Sequence, residues 1–146
     1  MKMILPEVLE FELEELETLS AQIFSNYKQI RVWILEGPLG AGKTTFVQNL
    51  AKGIGIEEQI VSPTFSLLNE YHSEIVGKVC HLDLYRLNNI SELDEIGLFE
   101  IEERGYFCLV EWASAVSYTP SVPWLEIRLE HMENTKRKIR IQLHEN

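Results

Sequence analysis

The sequence predicts one α/β domain over residues 1–146, with a mainly parallel central sheet that is flanked by helices and extended by antiparallel hairpins. Three observations predict this fold class. A short apolar run at residues 32–35 leads into a glycine-rich loop and then into a helical pattern. A second, nearly continuous apolar run occupies residues 106–111. Pairs of alternating segments elsewhere have hairpin spacing. Continuous apolar runs are typical of strands buried on both faces, and therefore of parallel sheets covered by helices.

Helical patterns surround these runs. Residues 14–24 repeat apolar side chains at helical spacing behind an acidic outer face, and residues 45–52 continue the glycine-rich loop as a helix that ends at Gly53. Ser91, with Asp94 three residues later, predicts the N-cap of an acidic helix over residues 92–103.

The remaining segments predict strands and turns. Residues 64–71 and 76–84 alternate in polarity and predict one hairpin. Residues 125–129 and 139–143 alternate strictly and predict a second hairpin around a polar turn. Residues 114–123 carry two prolines and predict a loop.

Composition narrows the class of protein. Hydrophobic residues make up 45% and charged residues 25%, as in ordinary globular domains. The N-terminus does not resemble a signal peptide, and no apolar run is as long as a membrane span, so we expect a cytoplasmic protein without membrane contact. The net charge of −10, from 23 acidic and 13 basic residues, argues against extensive direct contact with nucleic acid.

Two smaller features have ordinary interpretations. Cys80 and Cys108 each lie in an apolar, strand-like run without CxxC spacing, which favours two reduced, buried thiols over a redox pair or a metal site. The basic residues at 136–140 alternate with Ile139, which favours the solvated face of a strand; contact with RNA or a partner is the alternative.

The glycine-rich loop is the most specific feature. It matches the phosphate-binding pattern G-x-x-x-x-G-K-[ST] through Gly37, Pro38, Leu39, Gly40, Ala41, Gly42, Lys43 and Thr44. The glycines allow the backbone N–H groups to form a nest for phosphate oxygens. Lys43 can reach the β- and γ-phosphates, and the Thr44 hydroxyl can bind Mg²⁺. The alternative is an ordinary glycine-rich turn, but the strand before it and the helix after it favour a P-loop NTPase-like fold.

Two acids and one loop are candidates for completing such a site. Glu111 ends the apolar run at 106–111, where its carboxylate can help to hold Mg²⁺. Asp83 lies where another strand ends. Residues 62–65 hold hydroxyls in a loop stiffened by Pro63, as in a nucleotide-sensing switch. The alternatives are a charged strand exit, a capping aspartate and an ordinary turn.

These motifs, taken in order, resemble one family. The order is 37–46, then 62–65, 81–87, 92–97 and 108–112, and it is similar to that of the TsaE (YjeE) family of bacterial ATPases that act in tRNA threonylcarbamoyladenosine biosynthesis. The resemblance covers residues 32–112. Pro38 departs from the family's usual Asp, but no catalytic role depends on that side chain.

The resemblance implies a weak, Mg²⁺-dependent ATP hydrolase that supports the TsaB–TsaD complex in modifying the adenosine next to the anticodon. It implies that Lys43 binds phosphate, that Thr44 and Glu111 hold Mg²⁺, and that Asp83 is important for hydrolysis. It further places three residues at the nucleotide. They are Thr45 at the start of the helix after the loop, Thr64 in the switch-like segment and Trp112 at the strand exit. A tryptophan of the core is equally compatible with the sequence at position 112. A small-molecule kinase with the same loop, or a nucleotide-dependent binding module, are the competing functions.

Overall fold

A computed structural model describes residues 5–38, 40–61, 63 and 67–145 of the chain. Seven strands and four α-helices occur in these residues. The strands are β1 (Val8–Glu12), β2 (Val32–Glu36), β3 (Leu68–Ser73), β4 (Gly77–Asp83), β5 (Phe107–Glu111), β6 (Trp124–His131) and β7 (Lys136–His144). The helices are α1 (Leu16–Tyr27), α2 (Lys43–Gly53), α3 (Ser91–Ile96) and α4 (Leu98–Glu103). Two 3-10 turns, Leu13–Glu15 and Ala113–Val116, precede α1 and follow β5. The predicted α/β class is confirmed.

All seven strands form one sheet in the order β1-β7-β6-β2-β5-β4-β3. The four central strands, β6, β2, β5 and β4, pair in parallel. Both predicted hairpins are present as antiparallel pairs, β3 with β4 and β6 with β7. The sequence predicts the hairpins as antiparallel additions to the core. In the structure each hairpin instead supplies one strand to the parallel core and one antiparallel strand outside it.

The central strands bury both of their faces. In β2, Trp33 and Leu35 pack with α1 and α2 on one face, and Val32 and Ile34 pack with α3 and α4 on the other. All five residues of β2 and all five of β5 are buried. This two-sided burial explains why both strands are continuous apolar runs in the sequence, and it holds their carboxyl ends in fixed positions.

The cysteines are reduced and buried, as predicted. Cys80 of β4 and Cys108 of β5 are register partners on neighbouring parallel strands. Burial raises the pKa of the Cys80 thiol to about 11, and it raises the pKa of the Cys108 thiol as well. Both groups therefore stay protonated at neutral pH and behave as small apolar side chains.

Four predictions about local structure differ from the structure in whole or in part. The acidic helix over 92–103 is two helices, because Gly97 takes a left-handed conformation with φ of +76° between them. Ser91 is the first residue of α3 and not its N-cap; the Asn89 side chain accepts its backbone N–H at 3.0 Å instead. The segment 114–123 begins within a 3-10 turn. The predicted strand at 64–71 starts at Leu68 in the structure, and residues 64–66 lie outside the described residues.

The basic segment of β7 divides between two faces. Lys136 and Arg140 are exposed, and Lys138 is half-buried on the same face, opposite Glu10 of β1. Arg137 is on the opposite face of the strand, the face that also carries the buried Ile139. Its Nε is buried and has no hydrogen-bond partner among the described residues. The solvated-face interpretation therefore holds for the other three basic residues of the segment but not for Arg137. In the described part of the chain, no helix is long and apolar enough to cross a membrane.

Replacing Gly97 tests the conformational reason for the helix break. We expect Gly97→Ala to lower the stability by about 1 kcal/mol and Tm by about 2–4 °C, because φ is left-handed and a Cβ there would contact nothing within 4 Å. Gly53→Ala is the matched control: this residue ends α2 with an ordinary φ, and its Cβ would lie 4.0 Å from Ala21. Thermal unfolding should show no loss in the control, and an equal loss in both would contradict this explanation.

Candidate functional site

Three acids converge where the parallel strands end. Glu36 ends β2, Glu111 ends β5 and Asp83 ends β4. The strand register places Leu35 beside Glu111 and Asp83 beside Glu111. Because parallel strands end at the same edge of a sheet, the three carboxylates lie close to the start of the glycine-rich loop, which follows β2 directly.

The loop leaves β2 against the backbone of β6. Gly37 has φ of +144°, and a Cβ at this position would lie 2.3 Å from the carbonyl oxygen of Leu129. Only glycine permits this approach. The loop then turns through a hydrogen bond from the Ala41 N–H to the Pro38 oxygen, at 3.1 Å, and Gly42 is the N-cap of α2. Leu39 lies outside the described residues.

Lys43 is folded back onto this loop. Only 6% of the residue is exposed. Its ammonium group donates hydrogen bonds to the carbonyl oxygens of Gly37 and of Pro38, the second at 3.1 Å, and lies 4.1 Å from the centre of the Trp112 ring. Burial lowers the pKa of Lys43, and the three nearby carboxylates oppose this shift, with Glu111 acting most strongly. The group is therefore a buried cation held by oxygen atoms and an aromatic face.

A cavity of about 260 Å³ opens beside the lysine. Its lining consists of Gly40, Gly42, Lys43, Thr44, Thr45, Asp83, Glu111 and Trp112. These residues come from the loop, the first turn of α2 and the ends of β4 and β5. The structure thus brings together most of the residues that the sequence analysis selected. Thr64 lies outside the described residues, so its placement stays a prediction.

A larger cavity, of about 380 Å³, lies between β1 and α1. Among the described residues, its lining includes Phe11, Thr18 and three glutamates, Glu10, Glu14 and Glu15, and no lysine or arginine. An acidic cavity of this kind cannot neutralise phosphate groups. The chemistry of the lining therefore favours the smaller cavity as the functional site, despite its size.

Each of the three carboxylates has a different environment. Glu111 is 3% exposed, and its Oε2 lies 2.6 Å from Nε2 of His81. Asp83 is half-buried and accepts the backbone N–H of Tyr85 at 3.0 Å. Glu36 accepts the backbone N–H of Ser114 at 3.2 Å and its hydroxyl at 3.1 Å. Glu36 therefore ties the end of β2 to the turn after β5, while the other two carboxylates face the cavity.

Burial raises the pKa of Asp83, and the negative charge of Glu111 raises it further. The hydrogen bond from the Tyr85 N–H and the charge of Lys43 act in the opposite direction. A carboxylate with a raised pKa is a better proton acceptor than an ordinary one, which suits it to orient or activate a water molecule.

Trp112 lines the cavity rather than the core. It follows β5 in a left-handed conformation, with φ of +61°, which is uncommon for a residue other than glycine. Its ring lies under the Lys43 ammonium group, and the ring of Tyr85 packs against it at a centroid distance of 4.9 Å. The backbone turn at residue 112 thus directs the side chain toward the loop.

The donor set fits a small, hard cation. Thr44, Asp83 and Glu111 offer one hydroxyl and two carboxylates. Mg²⁺ commonly takes one or two carboxylates from a protein and completes its shell with water and phosphate oxygens. Among the described residues, no group of three or more His, Cys, Asp or Glu side chains forms a complete metal cage. The site therefore suits a cation that arrives with a phosphate ligand.

Sequence reasoning missed His81, Glu36 and Tyr85. His81 is a polar residue in a buried strand, two residues before Asp83, and that position was a usable signal. The contacts of Glu36 with Ser114 and of Tyr85 with Trp112 join parts of the chain that no local pattern connects.

Comparisons with known proteins agree on one family. The sequence model of the family described as "Threonylcarbamoyl adenosine biosynthesis protein TsaE" matches residues 11–139. The tRNA threonylcarbamoyladenosine biosynthesis protein TsaE of Treponema pallidum is 37% identical over 110 residues, which cover 75% of this chain and 80% of that protein. The protein of the same name from Nostoc sp. is 42% identical over 113 residues, covering 75% and 68%.

Among solved structures, Bacillus subtilis YdiB superimposes with a TM-score of 0.65 and 28% sequence identity. The superposition covers 99% of this chain and 90% of that one. The similarity therefore extends over nearly the whole fold, including the hairpins and edge strands outside the motifs.

The raised pKa of Asp83 predicts a pH-dependent effect on stability. We expect Asp83→Asn to raise Tm by about 2–4 °C at neutral pH, because it removes a buried charge next to Glu111 and keeps an oxygen for the Tyr85 N–H. Ionised Asp83 costs more in the folded chain than in the unfolded chain. The gain is therefore complete above the raised pKa, shrinks as the pH falls through it, and vanishes below the ordinary value of 3.8.

Paired thermal unfolding of wild type and variant across this pH range measures the difference directly. Glu103→Gln, at an exposed position in α4, is the control for the loss of one surface carboxylate. A gain from Asp83→Asn that is the same at every pH would contradict the ionisation argument.

Proposed function

Because this chain belongs to the TsaE family of threonylcarbamoyl adenosine biosynthesis proteins, we propose that it is a Mg²⁺-dependent ATPase with a P-loop NTPase-like fold. The family acts in the biosynthesis of threonylcarbamoyladenosine in tRNA. Under this proposal the chain binds ATP in the 260 Å³ cavity and hydrolyses it in support of that modification.

One observation supports the proposal most strongly. The buried cation Lys43 and the carboxylates of Asp83 and Glu111 line one cavity at the carboxyl ends of the parallel strands. A lysine beside a glycine-rich loop suits phosphate groups, and oxygen donors opposite it suit the accompanying cation. Neither half alone distinguishes hydrolysis from simple anion binding.

The residues divide the chemistry between them. Lys43 exchanges its bonds to the Gly37 and Pro38 oxygens for bonds to phosphate oxygens, where its charge stabilises the transferring group. Thr44 and Glu111 hold Mg²⁺, which when bound neutralises charge on the phosphates. Asp83 orients the attacking water and accepts its proton.

We further propose that the chain works with TsaB and TsaD in the cytoplasm. Its net charge of −10 favours a basic surface on a protein partner and disfavours extensive contact with tRNA. The ATPase would energise or reset that complex without itself transferring the threonylcarbamoyl group.

The lining of the cavity does not favour the kinase alternative. A kinase surrounds the transferring phosphoryl group with arginines, and among the described residues the cavity lining contains none. Arg31, for example, is engaged with the carbonyl oxygens of Gly105 and Val76 at the opposite ends of β4 and β5.

Removing the lysine tests nucleotide binding. We expect Lys43→Ala to weaken binding of Mg²⁺–ATP by roughly 30–150-fold, because charge-assisted hydrogen bonds to phosphate contribute about 2–3 kcal/mol. Isothermal titration calorimetry measures the change. Lys52→Ala is the control, since Lys52 is an exposed lysine of the same helix. Equal affinity of Lys43→Ala and wild type for Mg²⁺–ATP would contradict the assignment of this cavity as the nucleotide site.

Depletion of the protein in its source cell tests the biological role. We expect threonylcarbamoyladenosine in tRNA to fall, and expression of wild type or Lys52→Ala to restore it where Lys43→Ala does not. Mass spectrometry of digested tRNA measures the modification. An unchanged level after depletion would contradict the proposed role, whereas faster ADP release with a small acceptor than with TsaB–TsaD would support the kinase alternative.

A further inference from the structure

His81 is a buried histidine whose side chain contacts the carboxylate of Glu111. The residue is fully buried within β4. Its Nε2 lies 2.6 Å from Oε2 of Glu111, and its Nδ1 is buried without a hydrogen-bond partner in the described structure. The proposed hydrolysis does not use this imidazole directly, because His81 is not among the residues that line the cavity.

The contact fixes which nitrogen carries the proton. An ionised carboxylate only accepts hydrogen bonds, so Nε2 must be the donor. A proton on Nδ1 as well would leave a buried N–H without an acceptor, whereas an unprotonated Nδ1 leaves only an unused lone pair. The geometry therefore favours Nε2 as the nitrogen that donates to Glu111.

The register of β4 and β5 determines the side from which His81 approaches Glu111. His81 and Asp83 are two residues apart on one face of β4, and Asp83 is the register partner of Glu111 on β5. His81 is therefore diagonal to Glu111, one step back from the cavity. Its burial leaves the ring little freedom to turn. The hydrogen bond from His81 occupies one carboxylate oxygen of Glu111 on the side away from the cavity, and Glu111 itself lines the cavity.

We propose that His81 is a positioning residue that holds the Glu111 carboxylate in the orientation needed to bind the divalent cation of a nucleotide. This inference rests on the proposed function. Residues that hydrogen-bond to a metal-binding carboxylate orient it, and their loss typically weakens metal affinity by about 10–100-fold. A buried His–Glu contact can also be purely structural, in which case its loss lowers stability but leaves the cation requirement unchanged.

Three variants separate these roles. His81→Gln places an amide N–H near the original Nε2 and keeps the donor within reach of Glu111. His81→Asn places its amide near the original Nδ1 and falls short of the carboxylate, so it is the matched control. His81→Leu removes the donor at similar volume. Each variant, and wild type, is titrated with a non-hydrolysable ATP analogue in a chelator and at increasing Mg²⁺, with calorimetry as the readout.

We expect the half-saturating Mg²⁺ concentration to rise about 10-fold in His81→Leu and His81→Asn, and to stay within about threefold of wild type in His81→Gln. The affinity for the analogue in chelator should not change, because Lys43 and the loop are intact. Lower Tm in all three variants with an unchanged Mg²⁺ requirement would overturn the inference and leave the proposed function standing. Wild type that binds the analogue no better with Mg²⁺ than in chelator would overturn the proposed function, and this inference with it.

A measurement on wild type protects the test against variants that fail to fold. Long-range ¹H–¹⁵N spectra of the histidine side chains report the tautomer of His81. We expect a proton on Nε2 and a shift of the Nε2 signal when Mg²⁺ is added to the complex with the analogue. An Nε2 without a proton, or an Nε2 signal that Mg²⁺ leaves unmoved, would overturn the inference.

Discussion

The common alignment of the parallel strands is the constraint on which the rest of the site depends. β2, β5 and β4 are buried on both faces, so their registers cannot slip without exposing apolar residues on one side. That register puts Glu111 beside both Leu35 and Asp83. The loop, the lysine and the acids are thus placed by core packing.

At this edge of the sheet, charges of opposite sign lie close together and offset one another. Lys43 is a buried cation among three carboxylates, and each carboxylate has a separate hydrogen-bond donor: Ser114 for Glu36, Tyr85 for Asp83 and His81 for Glu111. A set of buried charges is tolerated only where such partners are present. The three acids therefore have different roles. Glu36 fixes a turn, Asp83 has a raised pKa, and Glu111 is held by an imidazole.

Local patterns predicted the loop, the two buried strands, the hairpins and the reduced cysteines, because each depends on residues close together in sequence. Local patterns failed where contacts between residues distant in sequence determine the structure. β1 was missed because its sequence is short and acidic, and it is defined by pairing with β7 at the other end of the chain. Whether Trp112 lines the cavity or the core depends on its own left-handed backbone angle. The bond between His81 and Glu111 depends on the β4–β5 register. The break at Gly97 was readable, but the acidic helical pattern on both sides of it outweighed a single glycine.

The close contact between Gly37 and Leu129 has a consequence for how the site comes into being. The loop belongs to the first third of the chain, yet the backbone it rests on belongs to β6, more than ninety positions later. A growing polypeptide can therefore complete β2 and α2 long before the loop has a surface to press against. Assembly of the phosphate nest must wait for a contact of very long sequence separation, so any premature binding would involve a loop without its final shape.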